Sequence, residues 1–415
     1  MVVGWNKIKL IDHSTLKARI GWQGLTTAEY LDEGEAFLVT GTDFFNGAIK
    51  WNTCHYVDKF RFDQDTNIQL RNGDILITKD GTIGKVAFVE GLSKKATLNS
   101  GVFVLRPKKT TYEGRYMYYV LLSDTFSDFL SKLSAGSTIT HLYQKDFVTF
   151  ECEISTDINE QRRIANALSD TDALISVLEK LIDKKCAIRQ GAMQELLTGK
   201  LRLGGFSGEW VENTLESLCY LITKQTGFDY TATIKPSLAN EKRYGYIPFI
   251  QNKDFEGEKI NFKTDFYVPM EIALQFPKIL LDEPCLLVSI SGRIGNVAYF
   301  NNSELAFVGG AVGVAKFHRS EIAKWVMLYL QSPIGQKMIF ANEKAGAQHN
   351  LTIEDIRNFI IPCPGMEEQS AIASILADMD AEIDALTTKL NKLRNIKQGM
   401  MSELLTGRIR LLEEV

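Results

Sequence analysis

The chain has 415 residues, of which 45% are hydrophobic and 24% are charged, and its formal net charge is −4. That length is too great for one ordinary domain, and a slightly acidic chain of globular composition can hold nucleic acid only through local basic loops or with help from a partner. The six cysteines form no CxxC pair and no stretch approaches the ~20 apolar residues of a membrane span, so the sequence predicts a cytoplasmic, non-membrane protein with reduced thiols and no zinc site.

Residues 1–150 mix strand-like and helical segments, which predicts an α+β domain. The apolar runs ILIT and KVAFV flank Gly81 and Gly84, and a strand, a tight glycine turn and a second strand make a hairpin. A helix is predicted near Arg115–Leu133. The polar segment AGSTITHLYQKDF follows from Ala135. The first lobe therefore carries two polar loops that contain glycine.

Residues 151–206 place apolar side chains at alternating steps of three and four, the heptad pattern of a coiled-coil helix. We expect this helix to run for about 35–40 residues, or roughly 55 Å, from a capping box of Asp157 and Glu160 to a glycine cap at Gly199. Its seam is Ile164, Leu168, Thr171, Ile175, Leu178, Ile182, Lys185, Arg189, Ala192 and Leu196. A second apolar stripe indicates contact with more than one neighbour. This stripe is Leu174, Val177, Leu181 and Ile188.

Residues 207–362 predict a second α+β lobe with the same parts in the same order. The runs LLVS and NVAYF flank Gly292 and Gly295, which again indicates a hairpin with a glycine turn. A helix is predicted near Ile322–Phe340, and the polar segment AGAQHNLTIEDI follows from Ala345.

Residues 363–415 predict a second long helix, which Pro364 can open and Gly407 can end. Its heptad seam is held for more than four repeats and has one polar interruption, Lys397. The apolar seam residues are Ile372, Leu376, Met379, Ile383, Leu386, Leu390, Leu393, Met400 and Leu404.

The two halves of the chain are copies of each other. QRRIANALSD from Gln161 reappears as QSAIASILAD from Gln369, an offset of 208 residues (369 − 161), and ELLTGKLRL reappears as ELLTGRIRL at the same offset. More weakly, GDILITKDGTIGKVAFV from Gly73 matches PCLLVSISGRIGNVAYF from Pro284 at an offset of 211 (284 − 73). A repeat unit of half the protein predicts two pseudo-symmetric lobes, with the two helices paired antiparallel to hold them a fixed distance apart. The alternative is an ordinary coiled-coil spacer with no specific role.

The glycine-bearing loops have a composition that suits nucleic-acid contacts. Glycine allows a ligand to approach the backbone closely, and Lys, Arg, Ser, Thr, Asn and Gln bind phosphates and base edges. KDGTIGK in the first lobe and ISGRIGN in the second keep their glycines but differ in their polar residues. Two loops that recognise different nucleic-acid sequences would share their backbone scaffold and differ in their polar side chains in this way. The alternative is that both are ordinary turns.

Catalytic signatures are missing from the sequence. It contains no GxxxxGK[ST], no HExxH, no GxSxG and no NPPY-like tetrapeptide. The five histidines are dispersed, although His141 and His349 fall in the second polar loops of the two lobes. We therefore expect a protein that is not an enzyme and has no catalytic residues, metal site or cofactor of its own.

The motifs of the helices and lobes match those of a known family. The two long helices open with EQRRIANALSDTD or EQSAIASILADMD and close with ELLTGKLRL or ELLTGRIRL, and the lobes carry GDILITKDGTIG and GAQHNLTIEDI. Essentially the whole chain closely resembles the specificity subunit of type I restriction–modification systems. The resemblance implies that residues 1–150 and 207–362 are target-recognition domains, each reading one half of a split, asymmetric DNA sequence. It implies that residues 151–206 and 363–415 are conserved helical regions that set the half-site spacing and dock modification subunits.

The resemblance also implies partners and cofactors. The family's assembly has two modification (methyltransferase) subunits, which bind S-adenosylmethionine and methylate adenine. Restriction subunits, which use ATP and Mg to translocate and cut double-stranded DNA, join that core. None of these cofactors belongs to this chain.

If the lobe loops enter the major groove, the residues that contact DNA lie in the four polar loops. In the first lobe the candidates are Lys79, Gly81, Thr82, Gly84, Lys85, Ser137, Thr138 and His141. In the second lobe they are Ser291, Gly292, Arg293, Gly295, Asn296, Gln348, His349 and Asn350. The candidate helix and partner interface is Ile164, Leu168, Ile175, Leu178, Ile182, Ile372, Leu376, Met379, Ile383, Leu386 and Leu390. Two rival hypotheses are a coiled-coil adaptor that joins two protein-binding domains and an enzyme with an unrecognised site.

Overall fold

The computed structural model describes residues 2–20, 23–108, 111–134, 141–257, 259–341 and 350–412. The chain forms two compact units, Met1–Glu179 with Thr388–Val415, and Lys180–Thr387. Each unit contains one lobe and a part of each long helix, so the border between the units falls within the helices.

The first lobe mixes strands with short helices. Its strands are β1 (Trp5–Lys9), β2 (Ser14–Ala18), β3 (Ala36–Val39), β4 (Phe44–Phe45), β5 (Ala48–Ile49), β6 (His55–Val57), β7 (Ile75–Thr78), β8 (Val86–Phe88), β9 (Ala96–Leu98), β10 (Val102–Pro107) and β11 (Glu151–Ser155). Its helices are α1 (Leu10–His13), α2 (Lys59–Asp63), α3 (Gly114–Leu122), α4 (Asp124–Leu133) and α5 (Gln144–Phe147). Single 3-10 turns cover Thr27–Glu29, Gly41–Asp43, Trp51–Thr53 and Thr66–Ile68.

The predicted hairpin is the β7–β8 pair, and it belongs to an antiparallel sheet of order β2-β10-β7-β8. Ile75 and Ile77 pack into one apolar core with α3, whereas Leu76 packs into a second core with β3 and β9. Because successive side chains of a strand point to opposite faces, a strand that lies between two cores must be apolar throughout. This explains why ILIT is a continuous apolar run. A second sheet, of order β6-β3-β9, contains the parallel pair β3–β9.

The chain then enters the long helix α6 (Ile158–Leu196), and the second lobe follows. Its strands are β12 (Val211–Thr214), β13 (Cys219–Lys224), β14 (Tyr246–Ile250), β15 (Phe255–Glu256), β16 (Lys259–Ile260), β17 (Tyr267–Pro269), β18 (Leu280–Leu281), β19 (Cys285–Ser289), β20 (Val297–Phe300), β21 (Ala306–Val308), β22 (Val312–Phe317) and β23 (Ile360–Cys363). Its helices are α7 (Leu215–Leu218), α8 (Gly227–Asp229), α9 (Lys235–Ser237), α10 (Met270–Ala273), α11 (Ile322–Gln331), α12 (Pro333–Ala341) and α13 (Ile353–Arg357). A π-helical turn covers Tyr230–Ile234 and a 3-10 turn covers Asn252–Asp254. The second long helix, α14 (Met366–Leu404), completes the chain order.

The second lobe repeats the topology of the first. Its antiparallel sheet has the order β13-β22-β19-β20, and its second sheet, β17-β14-β21-β18, again contains one parallel pair, β14–β21. The central strand β19 also lies between two cores, since Leu286 and Val288 pack into one and Leu287 packs into the other. The predicted α+β class and the predicted duplication of the lobes are confirmed.

One prediction for each lobe was wrong in detail. The single helix predicted near Arg115–Leu133 is two helices, α3 and α4, and the helix predicted near Ile322–Phe340 is also two, α11 and α12. The break falls at Ser123 and at Ser332, which both have extended backbone angles (ψ of 171° and 159°). A residue with such angles cannot continue a helix, and in the second lobe Pro333 opens the next one.

The two long helices have 39 residues each, within the predicted length, and pair antiparallel. Ion pairs within each unit show this direction, because the residue number on α14 decreases as that of its partner on α6 increases. These pairs are Asp172–Lys397 (2.6 Å), Glu179–Arg394 (2.6 Å), Lys185–Glu382 (2.6 Å) and Arg189–Asp380 (2.8 Å). The polar interruptions of the first seam therefore have partners: Lys185 and Arg189 face carboxylates of the other helix.

The predicted interface residues differ in burial along the helices. Those near the lobes are the most buried, since Ile164, Leu168, Ile372 and Leu376 are all 0% exposed. Leu178 and Leu390 are also buried, and the remaining members, Ile175, Ile182, Met379, Ile383 and Leu386, are half-buried. In the second stripe of α6, Leu174, Val177 and Ile188 are 46%, 60% and 48% exposed. Leu174 and Val177 in the first unit and Ile188 in the second are therefore each left largely open within their own unit.

The predicted helix caps are partly correct. Gly199 and Gly407 follow the two helices with φ of +69° and +70°, as expected of glycine caps. The Asp157 carboxylate accepts a hydrogen bond from the backbone N–H of Asn159 (2.9 Å). The second half of the capping box was wrong, because the backbone N–H of Asp157 donates to the Ser155 hydroxyl (3.1 Å), and the Glu160 carboxylate instead accepts from Ser155, Arg410 and the backbone of Leu411. Helix α14 begins at Met366, two residues after the predicted opening proline.

An arginine that follows each long helix binds a buried glutamate at the start of the other helix in the same unit. Arg410 binds Glu160 through hydrogen bonds of 2.6 and 2.8 Å, and Arg202 binds Glu368 at 2.7 and 2.8 Å. We call each pair an Arg–Glu clamp. The side chain of Glu160 is 0% exposed. Burial of this carboxyl opposes ionisation, but the hydrogen bonds from Arg410 and Ser155 hold the pKa of Glu160 below its usual value.

Candidate nucleic-acid interface

The hairpin tip of the first lobe connects β7 to β8 and presents polar side chains to solvent. Gly81, Thr82 and Lys85 are exposed, while Lys79 is half-buried with its ammonium 5.5 Å from the ring of Phe103. Gly81 has a φ of +68° with open space around it. Its backbone conformation alone therefore accounts for glycine at this position.

Gly84 has a different role from Gly81. Its φ is +80°, and a side chain there would overlap Leu130 of α4. In the second lobe Gly295 has a φ of +93°, and a Cβ would lie 2.7 Å from the Oε1 atom of Gln336 on α12. The second glycine of each hairpin therefore lets the turn pack closely on a helix, which supports the tip.

The hairpin tip of the second lobe connects β19 to β20. Gly292, Arg293 and Asn296 are exposed, and Ser291 is half-buried. Within the part of the chain that the structure describes, the guanidinium of Arg293 has no ion-pair or hydrogen-bond partner. The two tips thus expose different side chains on the same backbone scaffold.

The structure brings the second polar loop of each lobe against the hairpin tip. In the first lobe, the backbone N–H of Leu142 donates to the Lys79 carbonyl (2.8 Å), and His141 forms a bridge and a side-chain contact with Asp80. The His141 ring also lies 4.4 Å from that of Tyr143, centroid to centroid. Residues about sixty positions apart in the sequence therefore share one edge of the lobe.

The equivalent contact forms in the second lobe. The N–H of Leu351 donates to the Ile290 carbonyl (2.9 Å), and Asn350 bridges to Ser291. His141 therefore corresponds to Asn350. Four of the predicted contact residues, Ser137, Thr138, Gln348 and His349, lie outside the described residues.

A third segment at the same edge was missed by the sequence analysis. It is the 3-10 turn at Gly41–Asp43 in the first lobe and at Asn252–Asp254 in the second. The amide of Asn252 donates to the Ser291 carbonyl (2.6 Å), so the turn lies directly against the hairpin tip. The signal was present, because the dipeptide Asp-Phe ends both turns at an offset of 211 (254 − 43), the same as that of the hairpins.

The described residues contain no group of three or more His, Cys, Asp or Glu side chains that could hold a metal ion. Among the same residues, no helix is both long enough and apolar enough to cross a membrane. The edge of each lobe thus offers polar and cationic side chains on a glycine scaffold, which suits binding to an extended polar surface.

Comparison with known proteins decides the family. A model of the type I restriction modification DNA specificity domain matches residues 25–184 and again residues 208–395. The chain belongs to this family. Each match begins within a lobe and ends within the long helix that follows it, so the duplication seen in the sequence is a duplication of the specificity domain.

Individual specificity subunits are similar over most of their length. The putative type I restriction enzyme MjaX specificity subunit of Methanocaldococcus jannaschii is 26% identical over 375 residues, covering 86% of this chain and 83% of the relative. The EcoBI specificity subunit of Escherichia coli is 21% identical over 361 residues, covering 81% of this chain and 73% of the relative. A crystal structure of the S subunit from M. genitalium has 17% sequence identity, covers 96% of both chains and has a TM-score of 0.57, which shows the same fold.

The predicted resemblance to type I specificity subunits is therefore confirmed. The family is one of DNA-recognition components, and the chain is a specificity subunit rather than an enzyme.

Proposed function

We propose that each lobe of this specificity subunit reads one half of a bipartite, asymmetric DNA site through the edge formed by its hairpin tip and its second polar loop. The target-recognition domains are residues 1–150 and 207–362, and the helical regions are residues 151–206 and 363–415. The observation that carries the proposal is the recurrence of one contact, Asp80 with His141 and Ser291 with Asn350. Each contact joins two loops that were singled out separately for their chemistry.

Arg293 is the side chain best suited to direct readout. It is exposed at the tip of the second hairpin, and its neighbour Gly292 has a φ of +77°. No group among the described residues forms a hydrogen bond or ion pair with its guanidinium. Arginine pairs with the O6 and N7 acceptors of guanine through two hydrogen bonds, which is worth about 1–3 kcal/mol of discrimination. Asn296 on the same tip and Asn350 beside it are of the type that pairs with adenine.

The long helices set the distance between the half-sites and dock two modification subunits. Inserting four residues into each helix would lengthen the pair by ~6 Å, which corresponds to one or two base pairs at ~3.4 Å each. The exposed stripe of α6, at Leu174, Val177 and Ile188, is the face we assign to a modification subunit, since its residues are apolar and each is left open within its own unit. An unchanged spacing in the lengthened protein would contradict the ruler role.

The partners supply the chemistry. S-adenosylmethionine would bind to the modification subunits, and ATP and Mg to the restriction subunits, in a complex that acts on double-stranded DNA in the cytoplasm. This chain itself supplies recognition and assembly.

The decisive experiment is a genome-wide map of methylated adenines in cells with and without this gene. A split motif that disappears on deletion is the expected result. Arg293→Ala should then relax one position of one half-site and leave the other half-site unchanged. The matched control is Arg243→Ala. Arg243 is an exposed arginine that precedes β14, at the end of that strand that lies away from the hairpin edge. A map that stays the same when the gene is deleted, together with a purified complex that selects no motif from random DNA, would favour the adaptor hypothesis.

A further inference from the structure

The 3-10 turn at the edge of each lobe is held in place by a buried aspartate. Asp43 accepts a hydrogen bond from the backbone N–H of Thr40 at 2.8 Å, and Asp254 accepts one from Gln251 at 2.8 Å. Asp43 and Asp254 are only 5% and 7% exposed. Because a buried carboxylate bound to the backbone fixes the turn from inside, the residue just before it projects from a rigid base.

Each turn also contacts the hairpin tip of its own lobe. A Cβ atom on Gly41 would lie 2.8 Å from a methyl group of Thr78, the last residue of β7. In the second lobe the equivalent residue, Asn252, donates to the Ser291 carbonyl. Gly41 and Asn252 are offset by 211 residues (252 − 41), as are Asp80 and Ser291 (291 − 80). The turn and the hairpin therefore form one duplicated structural unit.

The residue before the buried aspartate differs between the lobes. It is Thr42 in the first lobe and Lys253 in the second, and both are exposed. Lys253 pairs with Asp265 on the surface, where the two side chains are 38% and 66% exposed. An exposed ion pair of this kind contributes little to stability. Stability of the fold therefore does not explain a lysine at the position of Thr42.

We propose that this turn is a further specificity-determining element, which contacts base edges through Lys253 in the second lobe and through Thr42 in the first. A lysine recognises the guanine O6 and N7 acceptors, whereas a threonine contacts several bases, including the thymine methyl group. The inference rests on the proposed function, because it assigns a second reader to the same edge. It adds residues that none of the loops predicted from the sequence contains.

The test uses the complete complex of this chain with its modification subunits and a library of DNA sites randomised over both half-sites. Lys253→Ala is compared with Lys242→Ala. Lys242 has the same charge as Lys253, is also exposed (64% of its side chain against 38% for Lys253) and also has a surface carboxylate nearby, at Glu304 3.9 Å away. It lies before the first residue of β14, whereas Lys253 lies beyond the last.

We expect Lys253→Ala to reduce the preference for guanine at one position of the second lobe's half-site by about tenfold, with the other half-site unchanged and Lys242→Ala equal to the wild type. A uniform loss of binding over all sequences would overturn the inference, since it would make Lys253 a phosphate contact that positions without specifying. Equal behaviour of the two variants would also overturn it. If the unaltered complex selects no sequence at all, the proposed function itself fails, which is a separate result.

Discussion

The clamp between Arg410 and Glu160 offers a quantitative test of what holds the first unit together. In Glu160→Gln, an amide of the same shape replaces the carboxylate, and Arg410 loses its charged partner. Removing one member of a buried ion pair costs about 3–5 kcal/mol. Because the Arg410 side chain keeps 24% of its exposure to solvent, we expect the lower end of that range, about 3 kcal/mol.

Urea denaturation followed by tryptophan fluorescence measures this cost. Of the five tryptophans, Trp5 is 2% exposed and packs against Gly407, close to the clamp, so its share of the emission reports on the region that the substitution perturbs. With a denaturant slope of about 3 kcal/mol per molar urea, the midpoint should fall by roughly 1 M. The matched control is Arg408→Ala, which breaks an ion pair to Glu403 whose side chains are 61% and 36% exposed. The control should cost less than about 1 kcal/mol.

A midpoint for Glu160→Gln that coincides with that of Arg408→Ala would refute the reasoning. It would show that burial of the carboxylate adds nothing to the strength of the pair. The second clamp provides an independent repeat, since Glu368→Gln removes the same partner from Arg202 in the other unit, where the Glu368 side chain is 3% exposed.

Three further predictions concern pH, packing and thiol reactivity. The stability advantage of the wild type over Glu160→Gln should be complete above the ordinary carboxyl pKa of 4.5. It should disappear as the pH falls through the lowered pKa that Glu160 has in the folded state, because protonation removes the charge that Arg410 binds. Urea titrations at about pH 6 and about pH 3 measure this difference. Leu168→Ala, at a position 0% exposed on α6, should cost about 2–5 kcal/mol, whereas Val177→Ala, at 60% exposure, should change stability by less than about 0.5 kcal/mol; thermal denaturation of both variants compares them. A thiol reagent should modify Cys186 in the native chain and the other five thiols only after unfolding, since those five are buried and burial raises the pKa of Cys152, for example, to about 12; mass spectrometry counts the labels.

The features predictable from the sequence were those with a local cause. A heptad seam needs only the spacing of apolar residues along one helix, and it located both 39-residue helices. The hairpins were predictable because Gly81 and Gly292 need a positive φ between two apolar runs. The polar interruptions at Lys185 and Arg189 were visible, but their partners on α14 depend on the register of the helix pair, which the pattern of one helix does not determine.

The features that were missed depend on contacts between distant residues. The turn at Asp43 is polar, short and without a periodic pattern, and its importance appears only once it lies against Thr78. The correspondence of His141 with Asn350 could not be read from the sequence, because the loops differ in their local offset and the strand-like bridge to the hairpin defines the match. The break at Ser123 was missed because apolar residues continue on both sides of it, and the break at Ser332 was missed although Pro333 follows it directly.

The composition of the first unit has a consequence for synthesis of the chain on the ribosome. The second unit is contiguous, Lys180–Thr387, but the first needs residues 388–412 to complete its core, where Leu404 and Leu405 pack with Ile164 and Leu168. The intervening 208 residues (387 − 180 + 1) take roughly 10–40 s to translate at ~5–20 residues per second. During that interval the nascent first lobe exposes the apolar start of α6 without its partner. The second unit can therefore fold first, although its sequence comes later, and a chaperone that shields the first lobe should matter most in that window.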